Sequence, residues 1–282
     1  MSAWKSIAVF MDLADPEYRV ADYAAMLAQH CDAHLIGIFN IGGSAPGEAG
    51  YTGVRGEAAI QETIARRRHR EQQSAYEAGE HLAKLGRLYG ISVEFRVLWR
   101  VSEAEDAILS SLHCDLVVIE DRKETCLPPG VTAERVVFEV GVPVVIVPED
   151  WAPRGPMKKV LVAWNVTREA RRAMADAIPC ISMAEETILL VVDPDRSEAL
   201  HGELPGMDAA HYLARHGAKV RTRSENSYGR GVHEVIGSVA QQEAADLIVM
   251  GAYSKPRHRQ LFFGGVTRSM LGNIRYPVLI SR

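Results

Sequence analysis

The chain has 282 residues, a formal net charge of −4, and a composition that is 47% hydrophobic and 24% charged. This length is about twice that of a common domain of roughly 100 to 150 residues, so we expect two domains. The acidic balance argues against a general nucleic-acid binder, and the N-terminus lacks the pattern of a signal peptide. Because the sequence holds no uncharged apolar run of about 18 residues, we expect a cytoplasmic protein without nucleic-acid or membrane partners.

Strands and helices alternate in the first half. The predicted strands are residues 7–11, 35–39, 93–98, 116–119 and 144–147, and the predicted helices are residues 18–29, 57–88 and 104–112. A glycine-rich segment, residues 41–56, precedes the long second helix. Runs of Val, Ile and Leu without polar alternation are typical of parallel strands covered on both faces.

The second half repeats this order, with a shorter second helix. Its predicted strands are residues 160–164, 187–192, 219–223, 247–250 and 278–280, and its predicted helices are residues 168–178, 207–215, 232–243 and 267–271. Alternation of this kind indicates right-handed βαβ crossovers. The predicted fold class is therefore α/β, with two tandem, doubly wound parallel-sheet domains.

Sequence self-similarity supports a tandem duplication. The segment CDLVVI at residues 114–119 recurs as ADLIVM at residues 245–250, and GVT occurs in both halves. Prolines and a glycine interrupt any regular element at residues 148–156. We therefore predict an N-terminal domain at residues 1–150 and a C-terminal domain at residues 151–282.

The four cysteines, Cys31, Cys114, Cys126 and Cys180, are scattered and form no CxxC pair. We expect reduced thiols that are buried as small apolar residues. His113 and Cys114 point to opposite faces of a strand and lack further ligands, so no metal site is predicted.

The segment GAYSKPRHRQLFFGGVTRSML at residues 251–271 resembles the loop motif of the universal stress protein family, G-x2-G-x9-G-[S/T]. Gly251 and Gly264 match the first and third glycines. Ser254 stands at the second glycine, Gly265 stands at the hydroxyl position, and Thr267 follows two residues later. Together with the repeat, the resemblance covers essentially the whole chain and points to the tandem two-domain form.

The resemblance implies strand order 3-2-1-4-5 in each domain, an adenine nucleotide alpha-hydrolase-like fold, and ATP held at the carboxyl ends of strands one and four. Ligands of open α/β sheets generally bind at that place. Glycines let backbone amides approach phosphate, and the basic residues of the loop favour a triphosphate, with Mg²⁺ as its companion. Asn165 stands where the family has an adenine-contacting Asp, and an amide can both donate and accept. The expected nucleotide-binding residues are Ala163, Asn165, Val191, Met250, Gly251, Ser254, Arg257, Gly264, Gly265, Val266 and Thr267.

The first half keeps an acid at Asp12 but loses the loop. Glu120 replaces the first glycine, and nine residues separate it from Gly130, against thirteen between Gly251 and Gly265. Carboxylates there would repel phosphate, and the two prolines of this segment have no N–H to donate. We expect the N-terminal half not to bind ATP.

The sequence thus favours a stress-response sensor or regulator that binds an adenine nucleotide, with slow ATP hydrolysis at most. It has no GxxxxGK[ST], GxSxG or HExxH motif. One alternative is an interaction protein without a nucleotide, and another is a carrier that uses residues 41–56 as a lid over a small ligand. The basic run at residues 66–70 is interpreted as a solvated helix face. We expect residues 144–147 and 278–280 to pair within the chain, and a homodimer stays open.

Overall fold

A computed structural model describes residues 4–11, 18–41, 57–99, 113–121, 132–151, 157–197, 204–252, 265–272 and 274–282. The predicted helix at residues 104–112 lies outside this part of the chain. Asp12, Cys126 and most of the glycine-rich segment also lie outside it.

The described elements alternate along the chain as predicted. The strands are β1 (Ser6–Met11), β2 (His34–Ile41), β3 (Val93–Trp99), β4 (Leu116–Asp121), β5 (Val144–Pro148), β6 (Lys159–Trp164), β7 (Glu186–Val192), β8 (Val220–Glu225), β9 (Leu247–Gly251) and β10 (Val278–Ser281). The helices are α1 (Arg19–Cys31), α2 (Glu57–Tyr89), α3 (Ala133–Glu139), α4 (Arg168–Asp176), α5 (Ile178–Met183), α6 (Met207–Arg215), α7 (Val232–Glu243) and α8 (Gly265–Leu271).

All ten strands form one sheet, in the order β3-β2-β1-β4-β5-β10-β9-β6-β7-β8. Each half has the expected order 3-2-1-4-5, and its strands pair in parallel. The predicted pairing between the two halves is confirmed, because β10 pairs antiparallel with β5, with Leu279 opposite Val145. The two expected sheets are therefore one continuous sheet. The carboxyl ends of the strands in the N-terminal half point in the opposite direction to those in the C-terminal half.

Helices cover both faces of this sheet. The first face carries α1, α2, α4, α5 and α6, whose buried residues share one apolar cluster with Val9, Val162 and Val249. The second face carries α3, α7 and α8, which pack on Phe10, Leu161 and neighbouring residues. Both clusters contain residues of both halves, so the two halves bury apolar surface against a shared core.

One polar contact is repeated in the two halves. Asp115 Oδ2 accepts hydrogen bonds from the backbone N–H of Lys5 at 2.7 Å and Ser6 at 3.0 Å. Asp246 Oδ2 accepts the same pair of bonds from Lys158 at 2.7 Å and Lys159 at 2.9 Å. These are the aspartates of CDLVVI and ADLIVM, so the repeated sequence fixes the start of strand four against the start of strand one.

Two helices have bounds that differ from the predicted ones. The predicted helix at residues 168–178 ends at Asp176, and α5 starts at Ile178, where Pro179 fits the first turn because its missing N–H is not needed there. The last helix begins at Gly265 instead of residue 267. Cys31, Cys114 and Cys180 are buried and form no disulfide bond. None of the described helices is long and apolar enough to cross a membrane.

Candidate functional site

The carboxyl ends of β6 and β9 lie side by side where the direction of strand order reverses in the C-terminal half. Ala163 of β6 is paired with Met250 of β9 on one side and with Leu190 of β7 on the other. Ala163 and Met250 both face the second face of the sheet, where Met250 is 4% exposed. In open α/β sheets this reversal point forms the crevice in which ligands bind.

Gly251 ends β9 on the opposite face, directly against α4. A Cβ built on Gly251 would lie 2.4 Å from the backbone nitrogen of Ala170 and 2.4 Å from the carbonyl carbon of Glu169. Both atoms belong to the helix backbone, so a side chain could not be accommodated by a rotamer change. Glycine at this position therefore allows the first turn of α4 to approach the end of β9.

Asn165 follows β6 and is exposed. Its Oδ1 accepts a hydrogen bond from Thr167 Oγ1 at 2.7 Å, and the same hydroxyl accepts one from the backbone N–H of Ala170 at 3.2 Å. Thr167 is thus the N-cap of α4 and also holds the Asn165 amide. With Oδ1 engaged, the amide NH₂ is the group that Asn165 can offer to a ligand.

Val166 lies between these two residues with a φ of 56°. This left-handed conformation is rare for a β-branched residue, and strain of this kind costs on the order of 1–3 kcal/mol and is concentrated at functional sites. The side chain is 39% exposed. The turn after β6 is therefore a strained, exposed turn whose position depends on the Thr167 cap.

Val191 lies in the core at the end of β7. It is 1% exposed, and a Cβ built on Gly206 would lie 3.1 Å from its Cγ2. By strand alternation Val191 points to the first face, away from Ala163 and Met250. Its apolar side chain packs against the backbone at Gly206, next to the end of β7.

The first turn of α8 contains Gly265, Val266 and Thr267. Val266 packs against the same apolar cluster as Ala163 and Met250, and Thr267 is 3% exposed. Thr132, the equivalent of Thr267 in the N-terminal half, instead caps α3 by accepting from Arg135 N at 3.2 Å. Ser254, Arg257 and Gly264 lie outside the described residues.

Of the predicted residues, the structure brings together Ala163, Met250 and Val266 on the second face, with Asn165 beyond the end of β6. Gly251 and Val191 face the other side of the sheet. Thr167 and Val166 were missed by the sequence reasoning, although a Thr followed by a charged helix start is a recognisable capping signal. Among the described residues, no group of three His, Cys, Asp or Glu side chains could hold a metal ion.

The matching place in the N-terminal half is acidic. Glu120, the equivalent of Gly251, is 3% exposed, and Asp121 follows it at the end of β4. Burial raises the pKa of Asp121, and the nearby carboxylates of Glu134 and Glu149 raise it further. Carboxyl groups therefore lie at this end of the N-terminal sheet, where the C-terminal half has Gly251 and Ala252.

Comparison with protein families decides the relationship of the C-terminal half, since residues 156–282 match the model of the universal stress protein family. Residues 156–282 form a universal stress protein domain. No curated protein matches the chain significantly. The family match places the strained turn, the Gly251 contact and α8 inside a recognised universal stress protein domain.

Solved structures extend the likeness in fold to the N-terminal half. A universal stress protein from Archaeoglobus fulgidus DSM 4304 covers 98% of this chain and 98% of its own, at 17% identity and a TM-score of 0.65. A functionally unknown protein from Pseudomonas aeruginosa PAO1 covers 99% of this chain and 92% of its own, at 17% identity and a TM-score of 0.61. A universal stress protein family protein from Arabidopsis thaliana with AMP bound covers 44% of this chain and 90% of its own, at 17% identity and a TM-score of 0.32.

Proposed function

We propose that the C-terminal universal stress protein domain binds ATP or another adenine nucleotide at the carboxyl ends of β6 and β9. The observation that carries the proposal is the exposed Asn165 amide, held by the N-cap of α4 at the reversal point of the sheet. Its NH₂ group would donate to a ring nitrogen of the base. Ala163, Met250 and Val266 supply the adjoining apolar surface.

The phosphates would bind at the loop between β9 and α8. Its sequence contributes backbone amides at Ser254 and Gly264 and positive charge at Arg257, and Mg²⁺ would accompany the triphosphate. Gly251 and the buried Ala252 start this loop without a carboxylate. The N-terminal half has Glu120 and Asp121 at the same place, which supports one nucleotide per chain.

We further propose that the protein is a sensor or regulator in the cytoplasm, with slow ATP hydrolysis at most. The two predicted domains, residues 1–150 and 151–282, would then have different tasks. The C-terminal domain would respond to the nucleotide, and the N-terminal domain would provide a paired sheet. A regulator needs a ligand-dependent change in the protein and not rapid turnover.

Isothermal titration calorimetry with ATP and AMP tests the binding proposal. We expect one site per chain, and we expect Gly264→Glu to weaken binding at least about tenfold, since a carboxylate beside the phosphates costs roughly 1.4 kcal/mol or more. Gln241→Glu, an equal charge change on the exposed surface of α7, is the matched control and should leave affinity unchanged. Absence of binding in the unmodified protein, or equal affinity in both variants, would reject the proposal.

Thr167→Ala gives a second readout of the same site. Loss of the cap should lower stability by about 1 kcal/mol and also release the Asn165 amide, so nucleotide affinity should fall. Thr132→Ala removes the corresponding cap of α3 and should cost similar stability without any change in affinity. If both variants bind the nucleotide equally well, Asn165 does not contact the base.

A further inference from the structure

Helix α2 is far longer than the sheet that it covers. It has 33 residues, whereas β3, which follows it, has 7. Among its described side chains, the buried hydrophobic ones lie in the C-terminal part, at Ala75, Ala78, Leu82 and Leu85. None of the side chains described between residues 62 and 74 is buried.

Contacts with α1 show where the N-terminal part of α2 extends. His81 Nε2 lies 3.2 Å from Asp22 Oδ1 in the first turn of α1, and Gln29 Nε2 donates to the backbone oxygen of Tyr89 at 3.2 Å. The two helices therefore run in the same direction, from the carboxyl end of the parallel strands back to their start. Residues 57–74, which we name the arm, consequently project beyond the carboxyl end of the N-terminal sheet by about 27 Å.

The arm carries concentrated positive charge. Four arginines occur within residues 66–70. Arg66 pairs with Glu62 one turn earlier, but Arg68 and Arg70 are exposed and form no ion pair with any described residue. An isolated helix of this length is marginal in water, so a helical segment whose described side chains are not buried gains stability from a partner that covers it.

Opposite charge lies at the same end of the same half. Asp121 pairs with Pro148 across the ends of β4 and β5, and Glu149 follows directly. Burial raises the pKa of Asp121, and the carboxylates of Glu134 and Glu149 are close enough to raise it further. Neither Asp121 nor Glu134 pairs with a described cation. Arg19 lies beside these carboxylates, and its Nη1 donates a hydrogen bond to the backbone oxygen of Glu149 at 3.4 Å. We name Asp121, Glu134 and Glu149 the acidic end.

We propose that two copies of this chain associate through their N-terminal halves, with the arm of each lying over the acidic end of the other. Because the arm and the acidic end occur at the same end of one half, a single twofold axis satisfies both contacts at once and closes the assembly. The candidate nucleotide site points the opposite way, since the two halves are antiparallel. The dimer is therefore independent of nucleotide binding.

The association should be weak and sensitive to salt. Exposed ion pairs contribute about 0.2–1 kcal/mol each, and salt screens charges over about 8 Å at physiological ionic strength. Sedimentation velocity of the full chain should show dimers at micromolar concentrations at low salt, and the dissociation constant should rise about tenfold or more in high salt.

Charge exchange makes the test specific. Arg68→Glu with Arg70→Glu should give monomers, and so should Glu134→Lys with Glu149→Lys. A mixture of these two variants should form a heterodimer, because each arm then meets an end of opposite charge. Arg87→Glu, a single charge reversal at the other end of α2, is the control and should dimerise like the unmodified protein.

The proposal is overturned if the unmodified chain stays monomeric at low salt, if the arm variant still dimerises, or if the mixture fails to associate. Circular dichroism of each variant checks that the fold is retained. Fluorescence anisotropy with a labelled 20-nucleotide RNA tests whether the arm binds nucleic acid instead of a second copy of the chain. Monomers whose RNA binding disappears on reversal of the arm would assign the arm to nucleic acid and reject the dimer.

Discussion

The two halves share a topology but differ at the end of their fourth strand. In the C-terminal half β9 ends in Gly251, which lets the capped start of α4 approach the strand. In the N-terminal half β4 ends in the buried Glu120 and in Asp121. The residue before α1, Tyr18, has a left-handed backbone conformation, and its side chain does not cap the helix. The comparison shows that one fold can keep its strand order while a few residues change the chemistry at the carboxyl ends of its strands.

Gly251→Ala should have the largest effect on this contrast. The added Cβ would overlap the backbone of Glu169 and Ala170, so we expect a loss of about 2–3 kcal/mol of unfolding free energy, measured by chemical denaturation. Gly237→Ala is the matched control, because nothing lies within 4 Å of its Cβ and it is inside α7. It should gain roughly 0.5–1 kcal/mol. Equal stability of the two variants would mean that α4 does not depend on Gly251.

The repeated aspartates test how far the halves are equivalent. Asp246→Ala removes two hydrogen bonds to a carboxylate at a half-buried position and should cost about 2 kcal/mol. Asp115→Ala removes the same two bonds at an exposed position, so we expect about 1 kcal/mol. Glu185→Ala, an exposed acid before β7, provides the baseline in the same denaturation experiment. A larger loss for Asp115 than for Asp246 would contradict this ranking.

Asp121→Asn should have the smallest effect and the opposite sign. The pKa of Asp121 is raised above 3.8, so the protonated form is favoured in the folded state. Its stabilising contribution is complete below 3.8 and is lost as pH rises through the raised pKa. At neutral pH the variant should therefore be more stable by about 0.5–1 kcal/mol, after allowance for solvent screening.

Denaturation midpoints between pH 5 and 8 measure this gain for Asp121→Asn. The gain should shrink toward acid pH, and Asp195→Asn, the same change at an exposed acid in the C-terminal half, is measured in parallel as the control. A variant that is less stable than the unmodified protein at neutral pH would show that the Asp121 carboxylate is favourably bound.

The sequence pattern was sufficient to predict the α/β class, and the resemblance to the universal stress protein family predicted the order of strands in each half. Two helices, α6 and α7, begin and end at the predicted residues, because glycines and periodic apolar residues mark their limits. The pairing of β5 with β10 was also predicted, from the resemblance to the universal stress protein family. These features depend on local patterns and on a topology shared by a family.

Other features depend on contacts that a pattern does not encode. The bond between Thr167 and Asn165 requires the left-handed φ of Val166, which no periodicity indicates. Val191 lies in a strand that is buried on both faces, so no polar alternation indicates which face its side chain takes. The length of α2 was predicted closely, but its projection beyond the sheet required the contact of His81 with Asp22. The expected roles of Ser254, Arg257 and Gly264 stay predictions.

The antiparallel contact of β5 with β10 has a consequence for how this chain can change over time. In a homodimer whose two subunits shared such a sheet, both subunits would have the same sequence, so a mutation that removed a binding loop would remove it from both. Here one short connection from β5 to β6 keeps the two halves at a high effective concentration, so they stay paired even when their sequences diverge. One half can therefore change the residues at its strand ends and carry a long helix with a basic segment, while it still supplies the strand that completes the other half's sheet.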